Sequence, residues 1–243
     1  MRGVERSPEP DFLAELWAAH SQWDDLDAAE RRRVREKLRS DFGGCCAYCE
    51  DSCTEERSRA AGDDMGTVDH FRPRARFPAE WLAWLNLVYA CRRCNDTKGN
   101  LWPEASDATN RRLSVVSRYG DVVAYVNPSL MTEQRPAGEF FEYRWDSGQM
   151  VAADGLSDSE WSMAVRTISD LDLNSDYEAV GDRLPYLRRE RLDLLITRLG
   201  NPAEDIGRTL AVLHELTQVG QPFSGFILAY TGEQFPLLKE LLG

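Results

Sequence analysis

Histidine is scarce: the 243 residues contain three, His20, His70 and His214, so any imidazole chemistry must be traced to one of these. No run of about 18 apolar residues occurs, which excludes a membrane-spanning helix on length grounds. The opening MRGVERSPEPDF has no apolar core, so a secretory signal is not expected and the cytoplasm is the expected compartment. Structural disulfides are disfavoured there. Cations are also in deficit, with 29 Lys and Arg against 41 Asp and Glu, a net charge of -12 and a pI near 4.8. That is the reverse of the basic footprint of most nucleic-acid binders. Internal repeats and low-complexity tracts are absent.

What is present suits a soluble globular protein of one or two domains. Hydrophobic residues make up 42%, aromatics 10% and charged residues 29%. Residues 10–40 read as helical. Phe12, Leu13, Leu16 and Trp17 recur at helical spacing, and DDLDAAERRRVREKLRS begins with acids and ends with bases, as the helix dipole favours. Its Arg31, Arg32, Arg33 and Arg35 fit a solvated helix face better than a DNA contact. Gly43-Gly44 ends this stretch, and the polar residues 50–66 read as a loop.

Further along, VVAYV at 122–126 reads as a strand stopped by Asn127-Pro128. FFEYRW-DSG-QMVAA reads as a hairpin turning at Asp146-Ser147-Gly148. Ser157 with Glu160 has the form of a capping box. LPYLRRERLDLLITRL is amphipathic and ends at Gly200-Asn201-Pro202. Another helix is expected over 203–219, and a last short one after Gly232. This pattern gives an α+β chain with N-terminal helices (1–43), a core at 44–105, and a mainly helical C-terminal region containing a β-hairpin (106–243).

The six cysteines, Cys45, Cys46, Cys49, Cys53, Cys91 and Cys94, all lie in the N-terminal half. Cys46-x2-Cys49 and Cys91-x2-Cys94 are two knuckles about forty residues apart. In a reducing compartment they read as a metal site. Four thiolates make a closed tetrahedral structural zinc site, and clipping distant turns together contributes folding energy. Cys45 could replace Cys46, and Cys53 could replace Cys49. The CAYC spacing matches that of CRRC, which favours Cys46 and Cys49.

Between the knuckles lie TVDHFRP and WLNLVYACRRCNDTKGN. The order CxxC, DHxxP, NLxxxCxxCNxxKG resembles the HNH (ββα-metal) endonucleases that carry a four-cysteine zinc site. The resemblance spans roughly residues 44–102. Asp69-His70 stands at the first position, Asn86 at the second, and Asn95 at the third, where many members have His. The resemblance implies a strand carrying Asp69-His70, a return through Asn86, and a helix starting near Cys91. It also implies that Asp69 and Asn95 hold a catalytic Mg2+ or Mn2+, and that Asn86 holds the loop that orients the base.

The chemistry is consistent with these residue types. Phosphodiester hydrolysis needs an activated water and a neutralised phosphate, and a neutral histidine can take the water's proton near pH 7. A carboxylate and an amide oxygen suit a hard divalent ion, which acts as the Lewis acid. Between Asp69 and Asn100 six cations face three anions, so the motif is locally basic. Arg72, Arg74, Arg93 and Lys98 are candidate phosphate contacts, whereas Trp81, Trp84 and Trp102 read as core.

The C-terminal half carries no catalytic motif. Its order of NP, a hairpin, then Ala164-Val-Arg-Thr-Ile168 and Leu171-Asp-Leu-Asn174 resembles, more loosely, the HNH proteins of Septu-type and retron-type anti-phage systems. That resemblance implies an ATPase partner. The expected function is a DNA endonuclease, with DNA favoured over RNA. The competing reading is a non-catalytic, zinc-braced module that binds nucleic acid or protein.

Overall fold

The computed structural model describes residues 1–53, 66–102, 125–129, 135–175, 184–200 and 205–235. Helix α1 (Asp11–Ala19) buries Leu13 and Leu16, and α2 (Ala28–Asp41) buries Val34 and Leu38. The helical stretch read from the sequence is interrupted at 20–27. There the Asp25 carboxylate accepts from Ser21 N (3.2 Å) and Gln22 Nε2 (3.1 Å), holding a 3-10 turn at Trp23–Asp25. Asp27 and Glu30 then form a reciprocal capping box that starts α2.

Gly43 ends α2 with φ +60, and it also makes a close approach. A Cβ there would lie 2.3 Å from Gly220 Cα, so the turn between the last two helices seats directly on the end of α2. The N-terminal and C-terminal thirds therefore share one packed core.

The central unit is a ββα hairpin. Strand β1 (Gly66–His70) pairs antiparallel with β2 (Leu87–Cys91), in a register running from Gly66↔Cys91 to His70↔Leu87. Gly66 is needed because the Tyr89 ring occupies the space its Cβ would take, with ring atoms 2.0 Å from that position. Helix α3 (Arg92–Lys98) follows β2 without a loop, and Cys91 Sγ accepts from Cys94 N at 3.4 Å as its cap. Leu87, Val88 and Ala90 are wholly buried, as β2 lies inside the core. Trp81, Trp84 and Trp102 are buried as expected, and Trp102 meets Phe71 and Phe77 edge-on.

The second sheet is the hairpin β3 (Phe141–Arg144) and β4 (Gln149–Ala152), which turns through Gly148. Helix α4 (Asp158–Asp170) starts at the Ser157–Glu160 capping box. The VVAYV strand falls largely outside the described residues. Its last two residues, Tyr125 and Val126, are not in a strand. Val126 N donates to the buried Thr167 Oγ1 (2.9 Å), so its amide is satisfied by α4 instead of a ladder.

The Leu171–Asn174 segment packs Leu171 and Leu173 into the core. Asn174 accepts from Met150 N and donates to Met150 O, both at 2.8 Å, pairing the free edge of β4 as another strand would. Arg188, 1% exposed, donates to Leu173 O and Gly148 O and so ties the helix that carries it to this edge.

Helix α5 (Leu184–Leu199) has the span read from the sequence, and α6 (Ile206–Thr217) lies inside its expected range. The short helix expected after Gly232 falls mainly at 236–243, outside the described residues. Helix α7 runs Ser224–Gln234 with Gly232 inside it. Its start is set by Glu50, whose carboxylate accepts from Gly225 N (2.6 Å) and whose carbonyl accepts from Phe223 N (3.0 Å). That cap comes from 175 residues away, so no local signal marks it. Among the described residues no helix is long and apolar enough to cross a membrane.

Candidate active site

The four cysteines of the two knuckles converge. Cys46, Cys49, Cys91 and Cys94 place their Sγ atoms within 4.8 Å of one another, and Cys49 Sγ to Cys91 Sγ is 3.9 Å. Tetrahedral zinc with bonds of about 2.3 Å requires sulfur–sulfur edges of roughly 3.8 Å, so the cluster has the size of a ZnS4 site. Cys45 and Cys53 lie outside it. Burial pushes the Cys45 thiol up to about 12 and raises Cys53 as well, leaving both as inert thiols.

Burial opposes ionisation of Cys46, yet its thiol is held well below the ordinary range because the other three thiols and Cys49 N–H donate to it. Hydrogen bonding to Cys46 raises Cys91 and Cys94 in turn. A bound dication removes these protons, since it binds thiolates.

The knuckle reaches the ββα unit through two contacts. Ala47 N donates to Tyr89 O on β2 (2.8 Å). Tyr48, the third residue of CAYC and wholly buried, donates its hydroxyl to Asp69 Oδ2 at 2.5 Å. Tyr48 was not singled out from the sequence. The available signal was an aromatic hydroxyl inside a zinc knuckle, where a small polar residue would suffice for the turn.

Asp69 and His70 occupy the end of β1. Asp69, 4% exposed, also meets Lys98 Nζ at 3.1 and 3.0 Å through its two oxygens. Burial raises its carboxyl, and Lys98 and Tyr48 oppose that. His70 is 8% exposed, with Nε2 2.8 Å from Trp81 O and the Trp23 ring edge-on at 5.2 Å. A carbonyl can only accept, so Nε2 carries the proton and Nδ1 is left bare. Burial, with Arg74 and Lys98 adding to it, pushes the ring down to about 4, so it is neutral at pH 7.

This has a measurable consequence. The unfolded chain protonates His70 near its ordinary value of about 6.5, and the folded chain only near 4. The ring's contribution to stability is therefore complete above about pH 6.5 and drains away as pH falls toward 4, reaching roughly 3 kcal/mol. Unfolding free energies of the wild type and His70→Gln between pH 7 and 4 should diverge by that sign, with the wild type losing more. Parallel curves would contradict a buried neutral ring.

Asn86, 6% exposed, staples the intervening loop. Its Oδ1 accepts from Arg72 N (2.8 Å), and its Nδ2 donates to Arg72 O (3.1 Å) and Glu80 O (3.2 Å). Phe71 N also donates to Asn86 O (2.8 Å). The residues just after His70 are thus fixed by one buried amide. Asn95, on α3 and partly buried, spends Nδ2 on Thr67 Oγ1 (2.8 Å) and Val68 O (3.5 Å), which turns its Oδ1 away from these acceptors. Asp69 and Asn95 offer a hard carboxylate and an amide oxygen, a donor set that fits Mg2+ or Mn2+ in kind.

Two of the four candidate phosphate contacts are corrected by their burial. Arg72 lies over the Phe77 ring at 4.0 Å and pairs with Glu80 (2.5 Å), so it braces the loop. Lys98 is 1% exposed and points inward to Asp69 and to His70 O (2.7 Å). A lysine at the end of a short polar helix reads as exposed from sequence, and only the packing of α3 on β1 turns it in. Arg93 donates to Asp172 O (2.9 Å) and ties α3 to the C-terminal half. Arg74 keeps a guanidinium 41% exposed and pairs with Asp24 at 2.6 Å, close enough to influence His70.

Residues 46–101 match the family model described as HNH endonuclease. Over 186 residues the chain is 27% identical to the Septu protein PtuB of Bacillus mycoides (strain KBAB4), an alignment covering 71% of this chain and 59% of that protein. The chain therefore spans somewhat less than two thirds of the length of this relative.

Proposed function

We propose that this chain, whose residues 46–101 carry an HNH endonuclease domain, hydrolyses phosphodiester bonds in DNA with His70 as general base. The observation that carries the reading is the His70 ring itself. Its Nε2 is committed to Trp81 O, and its bare Nδ1 belongs to a ring that stays neutral at pH 7. Such a nitrogen can accept a water proton at working pH. Asn86 keeps the residues following His70 in place, and Arg74 offers the exposed charge for a substrate phosphate. Asp69 and Asn95 would hold Mg2+ or Mn2+, which supplies Lewis-acid charge to the phosphate and leaving oxygen. The four thiolates would hold zinc as a structural brace.

Similarity to a protein named Septu PtuB supports the Septu-type reading; the looser resemblance of the C-terminal half implies an anti-phage role with an ATPase partner. The net charge of -12 and the inward-turned Arg72 and Lys98 favour the second reading, a module that binds without cutting. Supercoiled plasmid separates the two. With Mg2+ or Mn2+ the zinc-replete protein is expected to nick or linearise it. Failure to cut DNA or RNA, alone and with the partner, would leave the binding module.

Arg74 gives a finer test. Asp24 holds it with a carboxylate, which a substrate phosphate would have to displace. Arg74→Ala is expected to lower the salt dependence of DNA binding by about one phosphate contact, and Asp24→Ala to tighten binding. Fluorescence anisotropy against salt reads both, and an unchanged slope for Arg74→Ala would remove Arg74 from the interface.

A further inference from the structure

Lys98 is committed to the carboxylate that the proposed function reads as a metal ligand. Its ammonium has three N–H donors, and all three are accounted for by Asp69 Oδ1 (3.1 Å), Asp69 Oδ2 (3.0 Å) and His70 O (2.7 Å). The carboxylate is largely occupied too. It receives Lys98 on both oxygens and the Tyr48 hydroxyl on Oδ2. A carboxylate has about four lone-pair sites, so these contacts take three of them while Lys98 stays. Asn95 and Lys98, three residues apart on α3, both lie over the face of β1 that carries Thr67 and Asp69.

We propose that Lys98 is an internal competitor for the divalent ion at Asp69, holding the carboxylate until the ion takes its place. The proposal rests on the reading of Asp69 as a metal ligand. A dication and an ammonium on one buried carboxylate repel each other, and the low-dielectric surroundings leave that repulsion poorly screened. Entry of the ion therefore requires the ammonium to leave. Lys98 has a way out, since it is the last residue of α3 and Gly99, Asn100 and Leu101 beyond it are exposed. Its charge is a compact point on a flexible four-carbon stem, suited to such an exchange. In the lysine-bound form the site is electrically satisfied without a metal, which keeps Asp69 and the end of β1 ordered.

The test is direct Mn2+ binding, followed by electron paramagnetic resonance on zinc-replete protein. Lys98→Met removes the charge and keeps the stem, and should bind Mn2+ at least about 10-fold more tightly than the wild type. A lysine with a purely structural role predicts the opposite, weaker binding in a damaged site. Asp69→Asn should abolish the bound Mn2+ signal. Should Lys98→Met fail to fold, with Asp69 stripped of its partner, the wild type alone decides. Acetylation of Lys98, read by mass spectrometry, should rise when Mn2+ saturates the site.

Equal or weaker Mn2+ binding by Lys98→Met overturns the competitor role and leaves the metal reading intact, as does unchanged protection of Lys98 in Mn2+-saturated wild type. Absence of Mn2+ binding in both proteins overturns the metal reading and this inference together.

Discussion

Cys94→Ser is expected to empty the sulfur site and cost the protein a large share of its folding stability. Cys94 is wholly buried, and its backbone N–H donates to the Cys91 sulfur that caps α3, so the same residue supplies a ligand and closes the turn that begins the helix. Structural zinc in small domains contributes on the order of 10 kcal/mol of apparent folding energy, comparable with the 5–15 kcal/mol total stability of a typical domain. Here the cost is reduced because the chain has a large apolar core beyond the knuckles. A loss of about 5 kcal/mol would lower the melting temperature by roughly 10–20 °C. Bound zinc per chain should fall from about one to near zero. Cys45→Ser and Cys53→Ser should leave zinc content unchanged, because their sulfurs lie outside the cluster. Full zinc retention by Cys94→Ser would contradict the ligand set.

His70→Ala is expected to lower the single-turnover cleavage rate by about 100- to 10,000-fold, the span typical of a removed general base. The change leaves Trp81 O without its donor, at about 1–3 kcal/mol, so fold and zinc content must be measured on the same sample. With zinc retained, loss of rate belongs to chemistry. The acid limb of the wild-type pH–rate profile should lie near the ring's lowered value of about 4, well below the ordinary histidine range. A dication bound nearby acts in the same direction, pushing the limb lower still. A rate for His70→Ala within a few-fold of the wild type would remove His70 from the mechanism.

The site's framework was legible because it rests on short-range pattern. Two CxxC turns, a strand ending in Asp69-His70, the return through Asn86 and a helix beginning after Cys91 are all local features, and the structure has each of them. The hairpin turning at Gly148 and the span of α5 were legible for the same reason, as periodicity broken by a turn residue.

Where the reading failed, a distant partner decides the outcome. Helix α7 starts at Ser224 because Glu50 caps it from the zinc knuckle. Lys98 turns inward because Asp69 waits for it inside. Tyr48 looked like filler between two ligands, and its role exists only once the knuckle lies beside β1. Each of these depends on a side chain meeting a partner across the fold, which periodicity and motif spacing do not encode.

Anomalous diffraction from crystals grown with zinc and soaked in Mn2+ would examine the whole arrangement in a single experiment. The expected map has a zinc peak enclosed by the sulfurs of Cys46, Cys49, Cys91 and Cys94, and a manganese peak at the oxygens of Asp69 and Asn95, with His70 Nδ1 facing that ion's water. A zinc peak without manganese, and with both His70 nitrogens tied up in protein contacts, would contradict the hydrolase and leave a metal-stapled scaffold.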